Sequence, residues 1–599
     1  MHLIGIAAAP GIAVGPIWRP RGSTSASANG TPAARAIPAG PPPDPGELAA
    51  AAARQLQLLA QHLRDAGRTE EAGVFDAQAL MATDPTLIDD WRRRIEAHEE
   101  PAAAIRAAAS AVATAIAALG DELLAARSAD VRDVGERLAR LVTGEQPDTP
   151  SRPSIAIADD LSPSATAEIP PSLLLGIALE AGSRTAHAAI LARSLGIPCV
   201  VGVAGLGSTV DRIADGPLDR DGRRSDSGSA TVAVDGTTGE VYFRPTADEL
   251  AMLRERARAA AARDDVTRAF RDRPCETSDG WRITLLANIG GPADVDRALA
   301  ARAEGVGLFR TEFLFMGHQT EPTEREQADA YRRVFEAFGR ERQVVVRLAD
   351  IGGDKGIPYL SLPTEANPFL GVRALRLAYR DRALLVTQIR AISTAAAAGG
   401  VVPRVMAPMV AALSDVELLD ELVDEAQSGL AAAGRPRADR LIAGIMVEIP
   451  SAALIAGTLA HRVGFFSIGT NDLTQYVMAA DRTNASLASF QDALHPAVLR
   501  CIAMVVDGAA AAGIPVAVCG ELAGDPAGAL VLAGLGIREL SADAGAFDAL
   551  RYHFASVTRS ELTELAQRAL AAPDAATVRS AAEVLLQRTP RVPGVLAPA

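Results

Sequence analysis

The chain has 599 residues, with 59 Lys+Arg against 73 Asp+Glu, a formal net charge of −14. That length holds roughly three or four domains, or two around a barrel, and 49% hydrophobic with 22% charged residues excludes wholesale disorder. An acidic chain with 4% aromatics makes a poor nucleic-acid binder, and four cysteines without CxxC or zinc spacing imply neither a disulfide framework nor a structural metal, so a reducing, cytoplasmic setting is expected.

Residues 3–17 read as a short strand pair or strand and turn. They are apolar, but Pro10, Gly11, Gly15 and Pro16 interrupt them and no basic stretch precedes them, so they are not read as a signal peptide. A Pro/Gly/Ser/Ala-rich tract without periodicity follows, a low-complexity loop over 21–46. From 47 to 144 the texture is helical: Val131, Val134, Leu138 and Leu141 repeat at spacings of three and four, and breaks at Pro85, Pro101 and Gly120 divide the stretch into a bundle. Beyond the prolines of 147–153, apolar runs at 154–158, 173–178, 199–203 and 231–234 alternate with helical pieces, an α/β texture. A polar helix over 247–270 reads as a connector.

Past Pro274 there are eight strand-like runs: 283–287, 306–309, 344–348, 404–408, 442–447, 464–468, 515–518 and 537–540. Eight alternating βα units over about 250 residues or more is the arithmetic of a (β/α)₈ TIM-type barrel, whose chemistry sits at the C-terminal strand ends. Those ends carry Asn288, Arg310 with Glu312, Arg347 with Asp350, Met409, Glu448, Asn471 with Asp472, Cys519 and Ser541; Arg373 and Arg482 follow nearby. Four arginines converging on one mouth suit a small substrate with several negative charges. Glu448 and Asp472 suit a hard cation such as Mg²⁺; a paired acid/base dyad, as in glycosidases, is the alternative, against which the arginines argue. Cys519, a thiol at the catalytic face, can donate a proton to carbon. The longest apolar stretches, near 395–413 and 501–519, carry Arg404 and Asp507 and contain Gly and Pro, so no membrane insertion is expected.

One histidine stands apart. His187 follows Gly182, Ser183, Thr185 and Ala186 and precedes a helix-like run ending in Arg193. A neutral imidazole near a helix N-terminus can attack phosphorus and hold a labile phosphoryl group, with Arg193 and Thr185 able to stabilise the added charge.

Together these segments are more specific than their spacing. Residues 182–198 around His187, Gly307–Phe313 with Arg310, 350–355, 367–373 ending in Arg373, 466–476 with Asn471 and Asp472, and 519–524 after Cys519 resemble the motifs of enzyme I of the bacterial phosphoenolpyruvate:sugar phosphotransferase system. Residues 130–135 resemble the close of that family's helical docking domain. The resemblance implies a multidomain α/β protein: a phosphohistidine domain (1–20 and 145–243), an inserted helical docking domain (21–144), a connector helix (244–270), and a barrel that binds phosphoenolpyruvate and dimerises (271–599). It further implies that Glu448 and Asp472 hold Mg²⁺, that Arg310, Arg347, Arg373, Asn471 and Arg482 hold the substrate, and that His187 takes the phosphoryl group. Cys519 would protonate the departing enolpyruvate to pyruvate, and the phosphohistidine domain would swing away to pass the group to the small phosphocarrier protein HPr.

Three departures stand out. Ser183 replaces a usual glycine and Ala186 a usual serine, which implies slower transfer, and Gln78 stands where a histidine is common, which touches the docking surface. Two other readings remain. A pyruvate phosphate dikinase or phosphoenolpyruvate synthase needs an ATP-binding domain, yet 144 residues without a GxxxxGK[ST] loop precede the α/β region. A non-catalytic regulatory homologue would have lost His187, Glu448, Asp472 or Cys519, and none is lost.

Overall fold

A computed structural model describes the chain except residues 21–43, 66–68, 118–121, 146–147, 162–167, 183–186, 215–229, 317–319, 353–356, 358, 361–364, 483 and 591–599. Most of the low-complexity tract therefore lies outside the described residues, as does the loop just before His187. The chain forms two compact units, 1–263 and 264–599.

In the first unit, five helices span 45–143: α1 (Pro45–Asp65), α2 (Thr69–Ala82), α3 (Pro85–Glu96), α4 (Pro101–Ala117) and α5 (Glu122–Thr143). Proline opens α3 and α4, where its missing N–H costs nothing, and Asp84 caps α3 by accepting from Thr86 N–H. Trp91 fills the middle of the bundle, with its indole N–H on the Pro101 carbonyl at 3.0 Å. Gln78 is fully buried and donates to Asp133 at 3.0 Å and Asp130 at 3.4 Å, tying α2 to α5. The expectation that this position touches a docking surface is corrected: its amide is part of the bundle interior.

The α/β part is one eight-stranded sheet in the order β1-β8-β7-β3-β4-β5-β6-β2. Its strands are β1 (His2–Ile4), β2 (Ile6–Ala9), β3 (Ile12–Trp18), β4 (Ser154–Ala158), β5 (Leu174–Leu179), β6 (Cys199–Val201), β7 (Thr231–Asp235) and β8 (Glu240–Phe243). The first 18 residues thus form three strands rather than two, and β8 was absent from the sequence reading. β3 to β6 run parallel, and the others pair antiparallel at the flanks. A polar helix, Ala247–Arg268, follows, and the division between the two units falls within it.

The second unit is a closed, all-parallel barrel of eight strands: β9 (Thr284–Ile289), β10 (Val306–Phe309), β11 (Val344–Arg347), β12 (Arg404–Ala407), β13 (Ile442–Val447), β14 (Phe466–Ile468), β15 (Val516–Val518) and β16 (Glu539–Ala542). Parallel strands are covered on both faces, so they read as continuous apolar runs; β11, Val344-Val345-Val346-Arg347, is buried along its whole length. Leu308, Val345, Met406, Met446 and Phe465 fill the interior beneath Cys519. Among the described residues no helix is long and apolar enough to cross a membrane.

Candidate active site

At the C-terminal strand ends a cavity of about 330 Å³ is lined by Arg310, Arg347, Glu448, Asn471, Asp472, Arg482 and Cys519, together with Glu312 and Asp350. Of the barrel residues singled out from the sequence, Asn288, Met409, Ser541 and Arg373 are not among those lining this mouth. Arg373 stands behind it, 1% exposed, with Nε and Nη2 bonded to the two oxygens of Asp350 at 3.0 and 2.7 Å and Nη2 3.8 Å from Asp472.

The charges form one chain. Arg347 Nη2 donates to Glu312 Oε1 at 2.5 Å, and the same oxygen accepts from Asp350 N–H at 2.9 Å. Burial opposes the charge on both Arg347 and Arg373, yet the carboxylates of Glu312 and Asp350 beside Arg347, and of Asp350 and Asp472 beside Arg373, hold them firmly protonated. Arg482 reaches Asp472 at 3.6 Å and lies over the Phe369 ring. Asn471 spends its oxygen on Glu521 N–H at 2.9 Å, so what it can offer a ligand is the donor end.

Close backbone approach holds these loops. A Cβ on Gly520 would stand 2.0 Å from Thr470 Oγ1, so only glycine lets the loop after β15 lie against the helix Thr470–Met478 that carries Asn471 and Asp472. Gly352, at φ +98°, bridges to Arg373, and a Cβ there would meet the Val372 carbonyl at 2.5 Å. Met409, at φ +60°, gives its N–H to Glu448 Oε1 at 2.7 Å, a left-handed conformation kept by a non-glycine residue beside the site.

Burial, reinforced by the Asp472 and Asp350 carboxylates, pushes Glu448 well above the ordinary carboxylate range. Asp472 Oδ1 is buried without a hydrogen-bond partner. An all-oxygen pair with an unsatisfied lone pair fits Mg²⁺, which takes one or two carboxylates and fills its remaining positions with phosphate and water. Among the described residues no group of three or more His, Cys, Asp or Glu is placed to hold a metal. Arg347 Nε, Arg373 Nη1 and Thr470 Oγ1 are likewise buried and unsatisfied. Buried polar atoms left unpaired are rare, and their clustering here marks a site for a polar ligand.

Burial also pushes the Cys519 thiol up, so it is a protonated acid at neutral pH. Sγ lies 3.6 Å from the Ile468 carbonyl, and the Cys519 carbonyl is held by Asn288 Nδ2 at 3.1 Å, which Ser541 braces at 2.7 Å. All four cysteines are free thiols. His187 is the first residue of the helix His187–Leu195 in the first unit; residues 183–186 before it, with Ser183, Thr185 and Ala186, lie outside the described residues. Arg193, read as a stabiliser of the phosphorylated histidine, donates to the Ala8 carbonyl at 2.9 Å and so braces β2.

Glu312 and Asp350 were noted in the sequence only as strand ends, although the acids beside three buried or half-buried arginines are their natural partners. Removing Arg373 tests that pairing. Arg373→Met leaves Asp350 buried without its bidentate partner, and breaking such a pair costs about 3 kcal/mol or more. The barrel's midpoint in urea unfolding is expected to fall accordingly; an unchanged midpoint would mean that the pair contributes nothing.

A closed parallel barrel with arginines and paired carboxylates at its mouth suits a small, multiply anionic ligand. Three family models match the chain: the N-terminal domain of PEP-utilising enzymes over residues 4–127, their mobile domain over 150–239 and their PEP-binding domain over 264–559. A phosphoenolpyruvate-protein phosphotransferase of Streptomyces coelicolor is 42% identical over 521 residues, 86% of this chain and 88% of that one. One of Bacillus subtilis is 37% identical, covering 88% and 89%. A multiphosphoryl transfer protein of Xanthomonas campestris is 40% identical over 96% of this chain, which spans 66% of that protein's length. The chain belongs to the phosphoenolpyruvate-protein phosphotransferase family, and its reaction is phosphoryl transfer from phosphoenolpyruvate.

Proposed function

We propose that the protein takes the phosphoryl group of phosphoenolpyruvate onto His187, releases pyruvate, and passes the group to a histidine of the phosphocarrier HPr, the first step of sugar phosphotransfer. The observation that carries this reading is the convergence of Arg310, Arg347 and Arg482, with Arg373 behind them, on the cavity that also holds Glu448, Asp472 and Cys519.

The substrate carries a phosphate and a carboxylate, and guanidinium groups fit both in bidentate fashion. Arg310, Arg347, Arg373, Arg482 and the amide of Asn471 bind and orient it. Glu448 and Asp472 would hold Mg²⁺, which when bound would supply positive charge to offset that of the phosphate. The His187 nitrogen forms the new N–P bond as the P–O bond breaks, and the electron pair stays on the enolate oxygen. Cys519 gives its proton to the terminal carbon, yielding pyruvate, and the thiolate regains a proton from solvent. The helices of 45–143 would dock HPr, the α/β region would be the phosphohistidine domain, the helix Ala247–Arg268 the connector, and the barrel would pair in a homodimer in the cytoplasm.

Intact-mass measurement after incubation with phosphoenolpyruvate tests the reading. One acid-labile phosphoryl group is expected, gained with Mg²⁺ and not without it. No gain from phosphoenolpyruvate would defeat the proposal, and a gain from ATP instead would place the protein with the dikinases.

A further inference from the structure

Beneath the mouth, one side chain joins two arginine-bearing strand ends to the helix layer outside them. Gln388 lies midway along the helix Arg382–Gly399 and is fully buried. Its Oε1 accepts from Ala349 N–H at 2.9 Å, and its Nε2 donates to Thr311 Oγ1 at 2.9 Å and to the Tyr331 hydroxyl at 3.1 Å. A backbone N–H only donates, so the atom facing Ala349 is the amide oxygen, and both amide hydrogens are then spent on the two hydroxyls.

Thr311 passes the constraint on. Its hydroxyl donates to the Arg347 carbonyl at 2.8 Å. With Gln388 filling a lone pair of that oxygen, the threonine proton is aimed at Arg347. The Arg347 carbonyl and the Ala349 N–H, on either side of Leu348, are thus pinned by one amide, directly at one end and through Thr311 at the other. The next residue, Asp350, is the one that grips Arg373.

We propose that Gln388 is a positioning residue for the substrate site: it fixes the segment from Arg347 to Asp350, and through Asp350 it fixes Arg373, without touching substrate. The proposal rests on the reading that Arg347 and Arg373 hold phosphoenolpyruvate. A buried amide is costly unless fully bonded, and this one spends all of its bonding on the strand ends and on Tyr331, none on its own helix. Gln327 supplies an internal contrast. It is equally buried, on the helix Glu324–Phe338, but donates to the Pro322 carbonyl at 3.0 Å, just outside the start of its own helix.

The test compares Gln388→Met with Gln327→Met in the full chain by two readouts. The first is amide hydrogen exchange over residues 344–352, which needs no ligand. The second is calorimetric binding of phosphoenolpyruvate with Mg²⁺ in a His187→Gln background, where no transfer follows binding. A buried donor left unpaired weakens what it supports by roughly tenfold or more. Gln388→Met is expected to speed exchange at Ala349 and Asp350 and to weaken binding by about that factor, whereas Gln327→Met lowers the melting temperature and moves neither readout. If the two variants behave alike, with lower melting temperatures only, Gln388 is merely structural and the proposal falls. Should Gln388→Met fail to fold, Thr311→Val, which keeps the shape and removes the relay hydroxyl, carries the same comparison, and unchanged exchange and affinity in it would overturn the proposal. If the parent binds no phosphoenolpyruvate, the functional reading fails by itself, and hydrogen exchange still decides whether Gln388 holds the segment.

Discussion

His187→Gln is expected to fold normally, to bind phosphoenolpyruvate, and to gain no phosphoryl group, a loss of roughly 10⁴-fold or more in transfer, the scale seen when a nucleophile is removed. Glutamine matches the polarity and reach of histidine and suits a helix start, so the helix His187–Leu195 survives. Its amide nitrogen, with its lone pair delocalised, cannot attack phosphorus as a neutral imidazole nitrogen can. Substrate affinity is expected to stay within about twofold, since the binding groups of the mouth belong to the barrel unit. Intact mass after phosphoenolpyruvate incubation reads the first quantity and calorimetry the second. Seven other histidines are available as controls; a full phosphoryl gain in the variant would move the acceptor to one of them and remove His187 from the mechanism.

How legible the protein is from its residues depends on what kind of contact is being read. Barrel strands such as Val344–Arg347 stand out because both faces are covered, so side-chain type alone reveals them. The hairpin strand Glu240–Phe243 did not, because it is four residues long, opens on a charged residue and follows its partner through the tight turn after Asp235. The site was legible wherever a barrel rule maps chain position onto space, which is why Arg310, Arg347, Glu448, Asn471, Asp472, Arg482 and Cys519 fall on one cavity. Pairing was not legible. That Arg373 is locked to Asp350, that Arg193 turns to the Ala8 carbonyl, and that Gln78 is an interior residue all depend on which groups a fold brings within 3 Å or so. Gln388 gave no signal at all, because a polar residue in mid-helix reads as solvent-facing until the layer beneath it is known.

Cys519→Ala separates the two halves of the reaction. In this variant the arginines and carboxylates of the mouth are untouched, so phosphoenolpyruvate affinity is expected to stay within about threefold, while the rate of pyruvate formation falls by roughly 10²- to 10⁴-fold, the usual contribution of a positioned acid. The thiol suits that role because burial keeps it protonated where an exposed cysteine would begin to ionise. It also has few rivals. Tyr476 is another weak acid near the mouth, but its hydroxyl donates to the Phe369 carbonyl at 2.6 Å, so its proton is already committed. Glu448 and Asp472 are the proposed metal ligands, and a carboxylate bound to a cation gives up its proton rather than supplying one. Cys519→Ser sharpens the comparison: it keeps a hydroxyl of similar size in place, but a far weaker acid, and is expected to fall with the alanine variant rather than with the parent. Coupled measurement of pyruvate release beside calorimetric affinity reads both quantities. Pyruvate formation within threefold of the parent in Cys519→Ala would show that water or another side chain protonates the enolate, and would leave the buried thiol as no more than the cap of the barrel interior formed by Val345, Met406 and Met446.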